Sequence, residues 1–364
     1  MYLYEHKEWP NFTWDQNAIS PKLAEVRLFQ GKLLGKMQSL GFDLQEEATL
    51  SMLTDDVVKT SEIEGESLNK TLVRSSIANK LGIDTEQEYK VDRNIEGIVQ
   101  IMLDATTNYL RPLTEDRLFD WHAALFPTGR SGIFKITVGG WRNEETGVMQ
   151  VVSGAIGREK VHFEAPKHEG IPQEMKKFLE WFNQNNDLDL VLKSAIAHLW
   201  FVTIHPFSDG NGRICRALSD MLLAKSEDSS RRFYSMSSQI QKDRKNYYLN
   251  LEETQKDDLD ISEWILWYLS TLKDAITNSE SVLENIINKA RFWQINYNID
   301  FNERQRKILN KLLDHFEGNL TSSKWAKICR CSQDTAGRDI KDLLDKNILR
   351  KSKSSGRSTH YILV

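Results

Sequence analysis

Residues 188–204 narrow the choice of fold more than any other stretch. Leu188, Val191, Leu192, Ala195, Leu199 and Val202 recur at three- and four-residue steps, which predicts a hydrophobic helix. After Ile204 the pattern stops at His205-Pro206-Phe207-Ser208-Asp209-Gly210-Asn211-Gly212-Arg213. Helical composition then resumes near Gly212 and runs through Ala217-Leu218-Ser219-Asp220-Met221. A tight polar turn, with a glycine on each side of Asn211, therefore joins two helices.

Helical periodicity recurs over 20–40, 172–183 and 261–276. The exception is 129–166, where Gly139-Gly140 and the β-favouring runs Ile136-Thr137-Val138 and Val148-Met149-Gln150-Val151-Val152 predict loops with a short hairpin. Past residue 300 the outline is three short helices at 303–316, 322–329 and 332–346, followed by two strand-like runs around Gly356. That order predicts a winged helix-turn-helix over 301–364, with helical regions at 1–100 and 101–290 before it. The fold class expected is mainly α.

Charge divides the chain in the same place. Residues 301–364 carry 14 Lys+Arg and 7 Asp+Glu, a balance of +7, which leaves −11 on the first 300 residues of a chain whose net charge is −4. A basic module on an acidic body suggests a partner of its own, either DNA, which its charge suits, or another protein, since wing-type modules also mediate protein contacts. On its contact side we place Arg338, Lys341, Lys351, Lys353 and Arg357. No apolar run approaches the roughly 20 residues of a membrane helix, and the first residues lack a signal-peptide core. Three cysteines, Cys215, Cys329 and Cys331, make no disulfide framework and no zinc-ligand spacing. These features place the expected protein in the cytoplasm, away from membranes.

The residues from 205 to 216 suit phosphoryl or nucleotidyl transfer. Glycines let a backbone approach a ligand closely, and first-turn N–H groups bind anions. Arg213 and Arg216, three apart, share a helix face and suit a polyphosphate. Asp209 offers a hard oxygen for Mg²⁺, and His205 can accept a proton near neutral pH. His198 and His122 lie among apolar neighbours and are expected to be buried and partnered.

The same stretch matches, position for position, the signature of the Fic family, with the second arginine at 216. By that resemblance the fold would be an all-α core with a small β-hairpin flap. ATP would be the substrate and AMP the group moved to a protein Ser, Thr or Tyr hydroxyl. In the family's pattern His205 would be the base, Asp209 the Mg²⁺ ligand, and Asn211 with the Gly210–Gly212 amides the α-phosphate site. Arg213 and Arg216 would bind the outer phosphates, and Phe207 would anchor the loop.

Thr60-Ser61-Glu62-Ile63-Glu64-Gly65 resembles the family's inhibitory motif, in which Glu64 would pair with Arg216. The loop 148–166 resembles the flap, with Val161, His162 and Phe163 as its rim. Tyr247, Tyr248 and Gln255 match positions that meet adenine or ribose. Residues 9–15 resemble the N-terminal extension of a subgroup that also carries a winged helix. The target protein stays open and includes the chain itself, as does a homodimer. Two rival readings share these residues: removal of AMP at the same site, and a DNA-binding regulator with a nucleotide-sensing core.

Overall fold

The computed structural model describes the chain except for residues 84–91, 155–157, 159, 186, 315, 317 and 353–358. Helix starts follow side-chain chemistry. Asp15 caps α1 (Gln16–Gln38), Asn69 caps α3 (Lys70–Leu81) and Asp92 caps α4 (Arg93–Thr107), each through a carboxylate or amide oxygen on first-turn N–H groups. Between the first two lies α2 (Phe42–Ile63). Thr114 caps α5 (Glu115–Leu125), α6 (Ile171–Asn183) has proline in its first turn, and Asp189 caps α7 (Leu190–Ile204). Then come α8 (Asn211–Glu227), α9 (Met236–Lys242), α10 (Arg244–Gln255) and α11 (Ser262–Ile295).

The glycine-rich excursion holds two antiparallel pairs. β1 (Arg130–Ser131) pairs with β2 (Phe134–Lys135), and β3 (Gln150–Ser153) pairs with β4 (Lys160–Glu164) with a register shift between Val151 and Val152. Ile136-Thr137-Val138, expected as a strand, is irregular.

The described chain divides into two compact units, Met1–Glu280 and Ser281–Val364. In the first, α7 is buried on every side from Val191 to Ile204, which is why its apolar residues are not confined to one stripe. It packs along α8, while α4 covers α5 and α8, and α2 lies against α3 and α9. The turn between α7 and α8 is thus anchored at both ends in the core. In the second unit α12 (Glu303–Leu313), α13 (Ser322–Cys329) and α14 (Gln333–Asp345) precede a ladder of β5 (Leu349–Lys351) and β6 (Tyr361–Leu363). Ile308, Leu309, Trp325, Ala336, Ile340, Leu343 and Leu349 form its core. Among the described residues no helix is long and apolar enough to cross a membrane.

Candidate active site

The α7–α8 turn is built around Phe207, which is fully buried and stacks on His122 at 4.3 Å between ring centroids, with Trp141 at 5.0 Å. Asn211 closes the turn on itself. Its Oδ1 accepts from the Phe207 N–H (2.9 Å) and its Nδ2 donates to the Phe207 carbonyl (2.8 Å). Each end of that amide thus makes one bond to the loop, and Nδ2 keeps a second hydrogen. The first intrahelical bond of α8 runs from Ile214 N–H to Gly210 O (3.0 Å), so the N–H groups of Asn211, Gly212 and Arg213 have no intrahelical acceptor. Gly210 sits at φ +80, where a Cβ would also press on Leu125 and Phe126 at 3.0 Å.

His122 holds the same turn from behind. The Gly139 N–H donates to its Nδ1 (3.2 Å), so its Nε2 carries the proton and donates to the Asp209 carbonyl (3.2 Å). Burial lowers its pKa to about 4, which keeps it neutral. His198 is likewise a core residue, bonded to Ser219 (3.0 Å) and to the Tyr247 hydroxyl (2.9 Å).

His205 terminates α7 in the left-handed region, at φ 50 and ψ 59. Its Nδ1 lies 3.2 Å from the Val202 carbonyl, which can only accept; Nδ1 therefore bears the proton and Nε2 keeps a free lone pair. Burial pushes its pKa down to about 4, so at neutral pH the ring is the uncharged form a general base requires. Asp209 Oδ1 accepts from the Gly210 N–H (2.5 Å) and Oδ2 from the Ser131 hydroxyl. It borders a cavity of about 390 Å³ shared with Thr137, Glu145, Thr146 and Ser208.

The two arginines are already occupied. Helix α2 ends at Glu64 with Gly65 at φ +86; Gly65 N–H returns to Glu62 O (3.0 Å) and Glu66 N–H to Ser61 O (2.9 Å). This glycine-terminated turn delivers two carboxylates to the start of α8. Glu64 Oε1 accepts from Arg216 Nη2 (2.6 Å), and Thr60 holds the same guanidinium through Oγ1 (2.6 Å) and its carbonyl (3.0 Å). The Glu64 carboxylate also fills the space in front of Gly212, where a Cβ would overlap Oε1. Glu66 Oε2 accepts from Arg213 Nη1 at 2.8 Å. Among the described residues Arg216 Nη1 and Arg213 Nε are buried without a partner, so each guanidinium retains donor capacity.

The residues named from the flap and from α10 fare differently. Val161 is exposed on β4. His162 bonds Glu252 (2.5 Å) and Ser153 (2.6 Å). Phe163 faces inward, edge-on to Tyr2 at 5.1 Å, so it packs under the N-terminus instead of forming a rim. Tyr247 and Gln255 are buried, the latter bonded to Thr203 (3.2 Å). Tyr248 is half-buried and donates to the Ile63 carbonyl (3.3 Å), beside Glu64. Glu66, Ser131 and Arg142 belong to the site and were not expected there.

A neutral histidine heads the turn, and two arginines paired to glutamates occupy the helix start that follows it, in a largely helical protein. Comparison with known proteins specifies the family. Residues 112–223 match the Fic/DOC family and residues 2–83 match a domain of unknown function, DUF4172. Over residues 112–223 the chain carries a Fic domain. Protein adenylyltransferase fic-1 of Caenorhabditis elegans is 32% identical over 84 residues, 22% of this chain and 16% of its own length. Probable protein adenylyltransferase aq_aa38 of Aquifex aeolicus is 36% identical over 63 residues, 17% and 20% of the two lengths. The chain thus spans no more than a fifth of these curated relatives. A Fic family protein from Desulfovibrio desulfuricans shares the fold over 98% of both chains, with a TM-score of 0.55 and 20% identity.

Proposed function

We propose that this protein is an adenylyltransferase that moves AMP from ATP to a hydroxyl of a protein, and that Glu64 restrains it. The observation that carries the reading is the Glu64 carboxylate seated against Arg216 and Gly212, an acid lodged where an anion-binding helix start would take phosphate oxygens. In the transfer, the target oxygen forms a bond to the α-phosphorus as the bond to the pyrophosphate oxygen breaks. The hydroxyl proton passes to Nε2 of His205. Amides of the first turn of α8 hold the α-phosphate, and Arg213 and Arg216 hold the outer phosphates once the glutamates leave them.

Asp209 fits Mg²⁺ of the kind that arrives on a nucleotide. It supplies one carboxylate beside the hydroxyls of Ser131 and Ser208, and among the described residues no cluster of three His, Cys, Asp or Glu offers an all-protein cage. Bound there, Mg²⁺ would neutralise charge developing on the phosphates. Asp209→Ala is expected to abolish metal-dependent transfer; undiminished turnover in Mg²⁺ titrations would exclude that role.

The deciding experiment incubates the purified chain, with and without Glu64→Gly, with ATP labelled at the α-phosphate, and tracks label on protein by mass spectrometry. Label on protein supports the reading. Release of AMP from a pre-modified protein, lost on changing Glu64, supports the hydrolytic alternative instead.

Glu66 adds a weaker restraint. Half of its side chain is exposed, and pairs of that kind contribute roughly 0.2–1 kcal/mol. Glu66→Gln should therefore tighten binding of an ATP analogue by only about one and a half- to fivefold, measured by calorimetry. AMP, lacking outer phosphates, should bind unchanged.

We also infer a nucleic-acid role for the second unit, supported by its +7 balance and by the exposure of Arg338, Lys341 and Lys351. Lys353, Arg357 and Gly356 lie outside the described residues. Duplex DNA should bind the full chain with an affinity that falls as salt rises; salt-independent binding, or none, removes this role.

A further inference from the structure

Arg142 follows the Gly139-Gly140-Trp141 bend and is 3% exposed. Among the described residues it has no carboxylate within ion-pair distance. Its donors go to main-chain carbonyls. Nε donates to His205 O at 2.8 Å, Nη2 donates to Pro166 O, and its own backbone N–H donates to Pro206 O at 2.9 Å. Burial lowers its pKa to about 10, still far enough above neutral for the guanidinium to stay charged.

A buried cation without a counter-charge is costly, so the geometry it enforces is where its purpose should lie. Two of the three acceptors are the residue that carries the base and its neighbour. His205 sits in a left-handed conformation that side chains adopt infrequently, and the direction of its imidazole depends on that backbone staying put. The third acceptor, Pro166, lies two residues past β4, next to Ala165, whose N–H closes on Met149 O at 2.9 Å just before β3. The planar fork of arginine is what allows one side chain to reach both segments.

We propose that Arg142 is a positioning residue, a strut that locks the His205-Pro206 turn to the base of the β3–β4 hairpin so that proton acceptor and hairpin keep one relative placement. This rests on the adenylyl-transfer reading for its effect on rate, but not for its effect on structure. Arg142 touches none of the groups assigned to phosphate, so its loss should leave ground-state binding of nucleotide intact while displacing the base.

The test compares Arg142→Lys and Arg142→Gln, each combined with Glu64→Gly in the full chain. Transfer at saturating ATP should fall about ten- to a hundredfold, since a misplaced reacting group costs rate steeply. The Kd for an ATP analogue that cannot be cleaved at the α-phosphate should stay within about twofold. Lysine, which keeps the charge but not the fork, should restore only part of the rate. Hydrogen exchange should quicken in 203–208 and 163–167 together, and not in 213–223. A rate unchanged, or a rate and Kd that shift in proportion, overturns the proposal. So does exchange that quickens throughout or nowhere. If the Glu64→Gly chain with Arg142 intact transfers no AMP, the adenylyl-transfer reading fails by itself, and the exchange pattern alone decides the strut.

Discussion

Glu64→Gly should raise AMP transfer by roughly ten- to a hundredfold over the unaltered chain, the gain expected from freeing one charge-assisted contact of about 1.5–3 kcal/mol. The effect is large because three things are released together. Arg216 loses an acceptor at 2.6 Å, the space in front of Gly212 opens, and the N-terminal end of α8 loses a negative charge that competes with phosphate. Thr60 still holds Arg216 through two bonds, so the guanidinium stays aimed rather than collapsing onto another partner. Labelled transfer per minute, measured at saturating Mg-ATP, checks this. Adding Arg216→Ala should erase most of the gain, because the two residues act as one unit and their effects cannot add. A Glu64→Gly chain no faster than its parent would reduce residues 60–65 to an ordinary helix end.

His205→Ala should lower transfer by about a hundred- to ten-thousandfold while nucleotide affinity stays near that of the parent, as expected for a group that acts on the barrier. The structure adds a reason for expecting the ring to be active across the neutral range. With its pKa near 4 it is uncharged there, and its Nδ1 proton is committed to Val202, so Nε2 is the only nitrogen able to take a proton. Isothermal calorimetry with an ATP analogue beside single-turnover transfer separates the two quantities. Full-rate transfer by the alanine variant would remove His205 from the chemistry.

The site was legible in the sequence where its chemistry is contiguous. From His205 to Arg216 one turn and one helix start carry the base, the carboxylate, the glycines and both arginines, and local spacing alone places them. Glu64 was legible only through the resemblance of Thr60-Ser61-Glu62-Ile63-Glu64-Gly65 to the family's inhibitory motif, since the residues alone read as an ordinary helix end. Glu66 was not, because a glutamate beyond a helix-ending glycine looks like any solvated residue until its partner 147 positions away is known. Arg142 was hidden more deeply, since its acceptors are main-chain carbonyls that no residue type announces. Tyr247 and Gln255 present the opposite case. They were named because they match family positions that meet adenine or ribose; the structure places both in the core, with His198 and Thr203 as partners. The register shift pairs Phe163 with Val151 and Val161 with the adjacent Val152, so simple alternation does not place the two; Phe163 lies under Tyr2 and Tyr4, and Val161 is exposed. Of the second unit, the helices were legible in outline at 303–316, 322–329 and 332–346, and the structure caps the last two with Thr321 and Ser332, each accepting from the N–H three positions on.

The tight turn Glu64-Gly65-Glu66 has a thermodynamic corollary. A carboxylate and a phosphate that compete for one gap at Gly212 are linked reciprocally. Whatever free energy the end of α2 withholds from a correctly seated nucleotide, that nucleotide withholds in turn from the docking of α2. On the proposed reading, Glu64 and Glu66 would leave their arginines together, because one residue separates them on the same stretch of backbone. On that reading a partner that grips α2 or α3 would read, and be read by, the occupancy of a site it never touches.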